Sequence, residues 1–364
     1  MRVLHVAECG GGVDRYLRGL LKYSSCENIV VISQLYNKNE YEKIAQYVEV
    51  MNMKHGIGIS AITEAFKLRK IIKKYRPDIV YAHSSIAGAI TRIACISVKT
   101  KVIYNPHGWS FNMDNKKKKV YVCLERILSL FCDAIVCISE AEKKSAIDNK
   151  ICRKEKLHVI YNGIDIDGYR KEKIEIPIPN QAFVVGMVGR ICKQKAPDIF
   201  MKMASEVNKR IENVYFIIVG DVLEEDISKK IKIEEMAKEN NVNLIITGWV
   251  NNPLAYMEKF DVGCLLSRWE GFGLVIPEYM LTDTPIVATR VDAIPYLIED
   301  GVNGLLVEKD DWKAAAEKTI LLIENEELRD KLKKNGNEIV KSRFDVKRVA
   351  KQSENLFCRM IYNK

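Results

Sequence analysis

Short apolar segments alternate with longer amphipathic segments along most of the chain. In the first half the apolar segments lie at residues 3–6, 29–32, 79–81, 102–104 and 134–138. Runs of this length and composition are typical of strands buried on both faces, and the segments between them are long enough for helices. The alternation therefore predicts strand-helix-strand units that build a parallel, doubly wound α/β sheet.

The same alternation begins again in the second half, with apolar segments at residues 182–188, 215–219, 244–246, 262–266 and 286–287. Between the halves lies a charged stretch with Pro177 and Pro179, which is typical of a linker. We therefore predict an N-terminal Rossmann-like domain at residues 1–175 and a C-terminal one at residues 176–343. The amphipathic residues 344–364 predict a terminal helix.

Length and composition agree with two globular domains. The chain has 364 residues, of which 48% are hydrophobic and 29% charged. No apolar run approaches the roughly 20 residues that span a bilayer, and the first residues predict a strand rather than a signal peptide, so we expect a cytoplasmic protein. The 10 cysteines occur singly, which argues against a zinc site and a disulfide framework.

The net charge of +9 is concentrated in the N-terminal half. One predicted helix carries the basic residues Lys67, Arg69, Lys70, Lys73, Lys74 and Arg76, and a lysine run at 116–119 follows Trp109 and Phe111. A basic surface with apolar neighbours can bind anionic lipid, although a solvated helix face and a lysine-rich loop give the same pattern. No recognition motif for nucleic acid accompanies the charge, so no nucleic-acid partner is expected.

Two glutamates flank a short loop that contains Gly271 and Gly273. Glu270 precedes these glycines, and Glu278 follows Pro277, which suits the first position of a helix. The N–H groups at a helix start attract a diphosphate, and nearby carboxylates accept hydrogen bonds from vicinal hydroxyls. The segment thus predicts a nucleotide-sugar site, although an ordinary strand, loop and helix with two solvated glutamates has the same spacing.

This segment resembles the Glu-x7-Glu signature of the retaining family 4 glycosyltransferases, including the proline before the second glutamate and the Pro-Ile-Val-Ala strand at 285–288. The resemblance covers nearly the whole chain and implies the GT-B fold, in which two doubly wound Rossmann-like domains face an inter-domain cleft. In that family the C-terminal helix, here 344–364, crosses back onto the N-terminal domain. The start of the chain is similar to bacterial capsular and exopolysaccharide glycosyltransferases.

The resemblance also implies roles for residues of the second domain. Glu278 is assigned to the ribose hydroxyls, Glu270 to the sugar hydroxyls, and the backbone near Val250 to the base. The donor-binding loop further includes Gly271, Phe272, Gly273 and Leu274.

Arg190 and Lys195 follow the first strand of the second domain and resemble the family's Arg-x4-Lys motif, with Ala196 where the family has glycine. Two fixed cations there can neutralise the charge on a departing diphosphate and replace a metal ion. The resemblance assigns both residues to the donor diphosphate. Surface cations without a role are the alternative.

In the first domain the resemblance implies two donor contacts. Gly11 and Gly12 follow the first strand, and the matching family loop lies against the donor diphosphate. His107 corresponds to a histidine beside the donor sugar. His83 is a weaker candidate on the acceptor side, and His5, inside a strand, is expected to be a core residue.

Two further patterns resemble cofactor or metal motifs. Gly56 and Gly58 match a lenient nicotinamide pattern, but Asp78, about 20 residues on, precedes its strand instead of ending it. Asp165 and Asp167 imitate an Asp-x-Asp metal motif, yet they lie in a segment that resembles an inter-domain turn of family 4. We therefore expect no metal and no cofactor.

These residues predict a retaining, metal-independent glycosyltransferase that moves a sugar from a nucleoside-diphosphate sugar, with UDP as the commonest carrier, to a lipid-linked saccharide in bacterial surface polysaccharide synthesis. Glu270, His107, Arg190 and Lys195 are expected to be catalytic. The alternatives are a sugar-nucleotide 2-epimerase of the same fold and a non-catalytic nucleotide-sugar-binding protein. If the basic surface binds anionic lipid, the protein is peripheral at the inner face of the plasma membrane.

Overall fold

A computed structural model describes residues 1–8, 11–34, 36–53, 59–112, 117–223 and 226–362. The chain divides into two compact units, one formed by Met1–Asp165 with Phe344–Lys364 and the other by Ile166–Arg343. This division lies ahead of the boundary expected near residue 175. The reason is that residues 169 and 172 already make contacts within the second unit. The Tyr169 hydroxyl donates to Glu258, and Glu172 accepts from Asn252.

The first unit is built on a seven-stranded sheet in which the paired strands are parallel. Its strands are β1 (Arg2–Ala7), β2 (Glu27–Ile32), β3 (Tyr47–Val50), β4 (Ile79–His83), β5 (Lys101–Asn105), β6 (Ala134–Cys137) and β7 (Leu157–Val159). They lie in the order β3-β2-β1-β4-β5-β6-β7. The direction of strand addition reverses between β1 and β4, and ligands of such sheets bind beyond the carboxyl ends of the strands at that reversal.

Helices and short turns connect these strands. They are α1 (Gly12–Tyr23), α2 (Lys38–Glu42), α3 (Ile59–Tyr75), α4 (Ser85–Ala94), α5 (Lys118–Leu128) and α6 (Glu140–Asp148), with three-residue 3-10 helices at Ser110–Asn112, Ser129–Phe131 and Lys154–Lys156. Apolar side chains of α3, α4 and α5 pack in one cluster with the inner strands, as Leu68, Ile90 and Val122 do. This cluster is the core of one sheet face.

The second unit is built on a six-stranded parallel sheet with the order β10-β9-β8-β11-β12-β13. Its strands are β8 (Phe183–Val188), β9 (Val214–Val219), β10 (Leu244–Ile246), β11 (Val262–Leu265), β12 (Ile286–Thr289) and β13 (Leu305–Val307). Its helices are α7 (Pro197–Asn208), α8 (Ile227–Glu239), α9 (Pro253–Met257), α10 (Val275–Leu281), α11 (Ile294–Leu297), α12 (Trp312–Glu324) and α13 (Glu326–Arg343). The reversal here lies between β8 and β11.

A final helix, α14 (Val346–Tyr362), packs in the first unit. Its residues Val346 and Phe357 share an apolar cluster with Tyr16 and Leu20 of α1. The contact is close, because a Cβ atom on Gly19 would lie 2.7 Å from Val346 Cγ2. None of the helices that the structure describes combines the length and apolar composition needed to cross a bilayer.

Candidate functional site

The loop between β11 and α10 carries the two predicted glutamates. The helix begins at Val275, so Pro277 is its third residue and not its first, as the sequence predicted. Proline is tolerated there because the first four N–H groups of a helix have no acceptor within the helix. Glu278 remains in the first turn and is buried, with 4% of its surface exposed.

Glu270 and Lys195 are in direct contact. The Lys195 Nζ atom lies 2.5 Å from Glu270 Oε1, and the Ser267 hydroxyl donates to the same oxygen at 2.7 Å. Both contacts use Oε1, so neither occupies the second carboxylate oxygen. The Glu270 N–H donates to Asp292, and burial raises the pKa of that carboxyl. The pair brings a predicted diphosphate ligand together with the predicted sugar ligand.

The loop that carries Arg190 and Lys195 follows β8 and leads into α7. Arg190 is exposed, and within the described residues its guanidinium makes no hydrogen bond or ion pair. Ala196 has the left-handed conformation, with φ 51° and ψ 52°. This conformation favours glycine, so the structure explains why a glycine at this position suits the loop better than the alanine of this chain.

The other donor candidates of the second unit lie at the same edge of its sheet. Gly189, Gly220 and Gly248 directly follow or lie close after β8, β9 and β10, and Gly220 bridges to Gly248. The backbones approach closely, because a Cβ on Gly220 would lie 2.2 Å from the Gly189 carbonyl oxygen. Val250 is half-buried just beyond this bridge. The strand order places these loops beside Lys195 and Glu270.

The remaining loop residues differ in exposure. Phe272 is buried, whereas Gly271 and Leu274 are half-buried. Gly273 has φ 84°, a conformation that favours glycine. A Cβ there would lie 2.8 Å from Ile294 Cδ1, so a larger residue would also require that side chain to shift.

Two polar contacts that no motif marks hold these loops together. The Arg268 N–H donates to the Gln194 carbonyl at 2.8 Å, and the Gln194 side-chain amide donates to the Trp269 carbonyl at 3.1 Å. The partners lie far apart in the sequence, with 75 positions between Gln194 and Trp269. Such pairing follows from the tertiary fold, so spacing along the sequence carries no signal of it.

The candidates of the first unit also share one sheet edge. Gly11, with φ 70°, links β1 to α1, and Gly12 is the first residue of that helix. His107 follows β5 with φ 53° and is half-buried. The backbone N–H of His107 donates to Asn105 Oδ1 at 3.0 Å, which fixes the turn. The next N–H, of Gly108, donates to Glu142 Oε1 at 2.7 Å.

Two other histidines, His83 and His5, form a row with His107 that extends into the sheet. His83 Nδ1 lies 3.2 Å from His107 Nε2, and His5 Nδ1 lies 3.2 Å from His83 Nε2. His5 and His83 are buried. Sequence reasoning named all three residues separately but not their contact.

Titration of this region is set by burial. Desolvation lowers the pKa of His5 to about 4 and that of His107 to about 3. Desolvation, followed by the charges of the other two rings, lowers the pKa of His83 well below its usual value. Burial raises the pKa of Glu142 to about 7. The three imidazoles are therefore neutral near pH 7.

Asp165, of the metal-like pattern, forms polar contacts with residues of the first unit. Asp165 accepts from Lys22 Nζ at 2.5 Å and from the Tyr23 hydroxyl at 2.7 Å. Among the described residues, no group of three or more His, Cys, Asp or Glu side chains is arranged to hold a metal ion. Gly56 and Gly58 of the nicotinamide pattern, like Lys116 of the lysine run, lie outside the described residues.

Both halves of the chain match known protein families. Residues 10–167 match Glycosyltransferase Family 4, and residues 169–339 match Glycosyl transferases group 1. An uncharacterized 41.2 kDa protein in the cps region of Klebsiella pneumoniae is 34% identical over 333 residues, which cover 87% of this chain and 88% of that protein. The chain is a family 4 glycosyltransferase.

Two further proteins are similar to this glycosyltransferase. The Escherichia coli UDP-Gal:α-D-GlcNAc-diphosphoundecaprenol α-1,3-galactosyltransferase is 30% identical over 320 residues, covering 84% of this chain and 81% of that enzyme. The crystal structure of Anabaena HepE in complex with UDP-glucose matches with a TM-score of 0.83 and 24% identity, covering 98% and 99% of the two chains. With the two parallel sheets, these likenesses confirm the predicted GT-B fold, and the family confirms the predicted class of enzyme.

The second unit of the glycosyltransferase offers a distinct combination of groups. An exposed cation, Arg190, lies in the same loop as Lys195, which is held against the carboxylate of Glu270. Cations can hold a diphosphate, and a carboxylate can accept hydrogen bonds from sugar hydroxyls. The individual roles assigned to Arg190, Lys195, Glu270 and Glu278 remain predictions.

Proposed function

We propose that this enzyme transfers a sugar from a UDP-sugar to a lipid-linked saccharide, with retention of anomeric configuration and without a metal ion. The observation that carries the proposal is the contact of Lys195 with Glu270, at the edge where β8 and β11 end. It brings together the residues that we propose as ligands of the diphosphate and of the sugar. The Escherichia coli relative, whose name gives UDP-Gal as donor and a diphosphoundecaprenol-linked acceptor, supports the same reaction class.

The chemistry follows from the charge that develops during transfer. When the bond from the anomeric carbon to the diphosphate breaks, negative charge grows on the diphosphate, and Arg190 and Lys195 stabilise it. The leaving phosphate oxygen accepts the proton of the acceptor hydroxyl, which attacks from the same face. Retention then needs no protein nucleophile. Glu270 holds the sugar hydroxyls and Glu278 holds the ribose.

Uridine is the base we propose, with the backbone around Val250 as its contact. The segment lies after β10, where Gly248, with φ 73°, turns the chain beside Gly220. The Escherichia coli relative is named for UDP-Gal, and the Anabaena structure contains UDP-glucose. Gly11, Gly12 and His107 of the first unit are proposed to complete the binding of the donor.

We further propose that the outer surface of α3 and α5 binds an anionic bilayer that carries the acceptor. Phe66 is 64% exposed, and Leu130, just after α5, is 74% exposed. Both helices pack over the same sheet face, and both carry lysines, for example Lys67 and Lys118. Exposed apolar side chains among basic ones fit a membrane with negative head groups, at about 1 kcal/mol for each basic residue near the surface.

The transfer is tested by nucleotide release from UDP-, GDP- and ADP-sugars with bacterial lipid extract, in the presence and absence of EDTA. Lipid-dependent release from a UDP-sugar that resists EDTA, falls at least 100-fold in Arg190→Ala and Glu270→Gln, and yields a product of unchanged anomeric configuration by NMR would support the proposal. Arg153→Ala, an exposed arginine of the first unit, is the matched control. Release abolished by EDTA, or an inverted product, would refute it.

The same assay separates the alternative functions. Conversion of the sugar nucleotide to a 2-epimer without an acceptor would identify an epimerase. Binding of the sugar nucleotide without any release would identify a non-catalytic binding protein.

Membrane binding needs a separate measurement. Cosedimentation with vesicles of phosphatidylcholine and phosphatidylglycerol should exceed that with phosphatidylcholine alone, and the double variant Phe66→Ser, Leu130→Ser should reduce it about tenfold. Tyr362→Ser removes an aromatic side chain that is 73% exposed on α14 and should have no effect. Equal binding of both vesicle types would contradict the proposal.

A further inference from the structure

Four side chains form a continuous line across the first sheet. Asn28 Oδ1 lies 3.3 Å from His5 Nε2, and the imidazoles of His5, His83 and His107 follow with 3.2 Å between successive ring nitrogens. The residues come from β2, β1, β4 and the turn after β5, which are neighbours in the sheet. The line therefore runs across the strands and ends at His107.

The inner members of this line are rigidly held and removed from water. His5, His83 and Asn28 are each at most 2% exposed. The Asn28 backbone is bound on both sides by Gln46, which accepts from its N–H and donates to its carbonyl. His5 and His83 also stack, with ring centroids 5.5 Å apart and an angle of 11° between planes. The rings cannot exchange their partners for solvent.

The chemistry of neutral imidazole determines which ring nitrogen donates and which accepts in each hydrogen bond of the line. A neutral ring has one N–H donor and one acceptor nitrogen. An amide oxygen only accepts, so His5 must carry its proton on Nε2 and accept at Nδ1. His83 must then donate from Nε2 and accept at Nδ1, and His107 must donate from Nε2. The remaining nitrogen of His107, Nδ1, is left as an acceptor.

We propose that Asn28, His5 and His83 are positioning residues that fix His107 in the tautomer with its proton on Nε2 and its lone pair on Nδ1. This inference rests on the proposed function, in which His107 contacts the donor sugar. Because Nδ1 of His107 is then an acceptor, the sugar group that contacts it must be a hydrogen-bond donor, such as a hydroxyl. A carbonyl or carboxylate at that position is rejected, because two acceptors would face each other. Asn28 thereby sets the substrate preference at His107, although the imidazoles of His5 and His83 lie between these two residues.

The direct test is a long-range 1H–15N NMR spectrum of the histidine side chains at pH 7.5. The chain has five histidines, so His55→Gln and His158→Gln leave only the signals of the line. We expect the Nε2–H pattern for His5, His83 and His107. A pattern with the His107 proton on Nδ1 would overturn the proposal, whatever the outcome of the transfer assay, since this spectrum needs no substrate.

Two variants test whether Asn28 sets the tautomer of His107 through His5 and His83. Asn28→Leu removes the terminal acceptor and should convert His107 into a mixture of both tautomers. His83→Leu interrupts the line and should do the same to His107 while His5 keeps its proton on Nε2. Both variants should lower kcat/KM about tenfold with an unchanged Kd for UDP, which lacks the transferred sugar. If His107 keeps a single Nε2–H tautomer in a folded His83→Leu variant, transmission is refuted.

Discussion

Arg268 forms a two-point ion pair with Asp198. Its Nη1 and Nη2 atoms lie 3.0 and 2.5 Å from the two carboxylate oxygens, and its Nε lies 2.7 Å from Asp310. Asp198 is in the first turn of α7, just after Lys195, whereas Arg268 is two residues before Glu270. The pair therefore fixes the separation of the loops that carry Lys195 and Glu270.

Arg268→Lys should disturb this geometry without removing the charge. A lysine cannot make the parallel pair of hydrogen bonds that a guanidinium makes to a carboxylate. We expect kcat/KM for the donor to fall about tenfold, because misplaced groups lose much of their effect on the transition state. Kinetics at several donor concentrations would measure it.

The control for this substitution is Arg290→Lys. Arg290 pairs with Asp300 and Glu308 in a solvated setting, with 43% of its side chain exposed, so its replacement should leave the kinetics unchanged. Equal losses in both variants would show that the loss does not come from the fixed loop separation.

Lys195 and Glu270 should be strongly coupled in folding stability. Their side chains are only 15% and 6% exposed, so Lys195→Met or Glu270→Gln alone leaves a poorly solvated partner. The loss in free energy of unfolding of the double variant should be smaller than the sum of the two single losses by about 1–3 kcal/mol. Urea unfolding of all four proteins measures the coupling.

The comparison pair is Lys144 with Asp148 on α6, whose side chains are 69% and 55% exposed. Its coupling should stay within about 0.5 kcal/mol. A coupling of this size for Lys195 and Glu270 would disprove their strong interaction.

Ala196→Gly should stabilise the enzyme by about 1 kcal/mol, because glycine adopts the left-handed conformation of this position without steric conflict. Ala204 lies within α7, the helix that follows Ala196, and has an ordinary backbone conformation, so Ala204→Gly should destabilise by a similar amount. Opposite shifts of Tm in the two variants are the expected result. Shifts of the same sign would mean that the strain at Ala196 is negligible.

Acid should remove stability through the buried histidines. A histidine whose folded pKa lies below its unfolded value stabilises fully above pH 6.5, and this contribution is lost as the pH falls toward the folded value. The stability of the wild type relative to His83→Leu should therefore fall by up to about 1.4 kcal/mol per pH unit as the pH is lowered below about 6.5.

The difference between the two proteins isolates His83 from Glu142. The raised pKa of Glu142 acts in the opposite direction, since its contribution falls as the pH rises from about 4.5 to about 7. Glu142 is present in both proteins, so its effect cancels. A pH-independent difference would show that His83 titrates normally in the folded protein.

Apolar runs in the sequence predict the strands that are apolar throughout, but they do not mark β3, β7 and β13. The first of these, Tyr-Val-Glu-Val, is a half-exposed edge strand and has no continuous apolar run. The other two are only three residues long. Apolar runs indicate burial on both faces, so they reveal central strands better than edges and short strands.

The candidate site shows a similar contrast. The motifs place Lys195 after the first strand of the second domain and Glu270 in the loop before a helix. The structure adds that the strands before these two residues, β8 and β11, are neighbours in the sheet. The Arg268 pair with Asp198 spans 70 positions, and the line from Asn28 to His107 uses four segments of the sheet. Contacts of this kind depend on register and side-chain direction, which a single sequence does not display.

The chain leaves the first unit and returns to it at adjacent points. The Ile164 backbone N–H donates to the Phe344 carbonyl and the Val346 N–H donates to the Ile164 carbonyl, which forms the bridge between Ile164 and Asp345. During synthesis on the ribosome, the entire second unit emerges before α14 is available to cover the apolar side of α1. The N-terminal unit therefore begins to form first and is completed last. A chain that ends at residue 343 therefore contains the whole second unit but lacks the helix that completes the first.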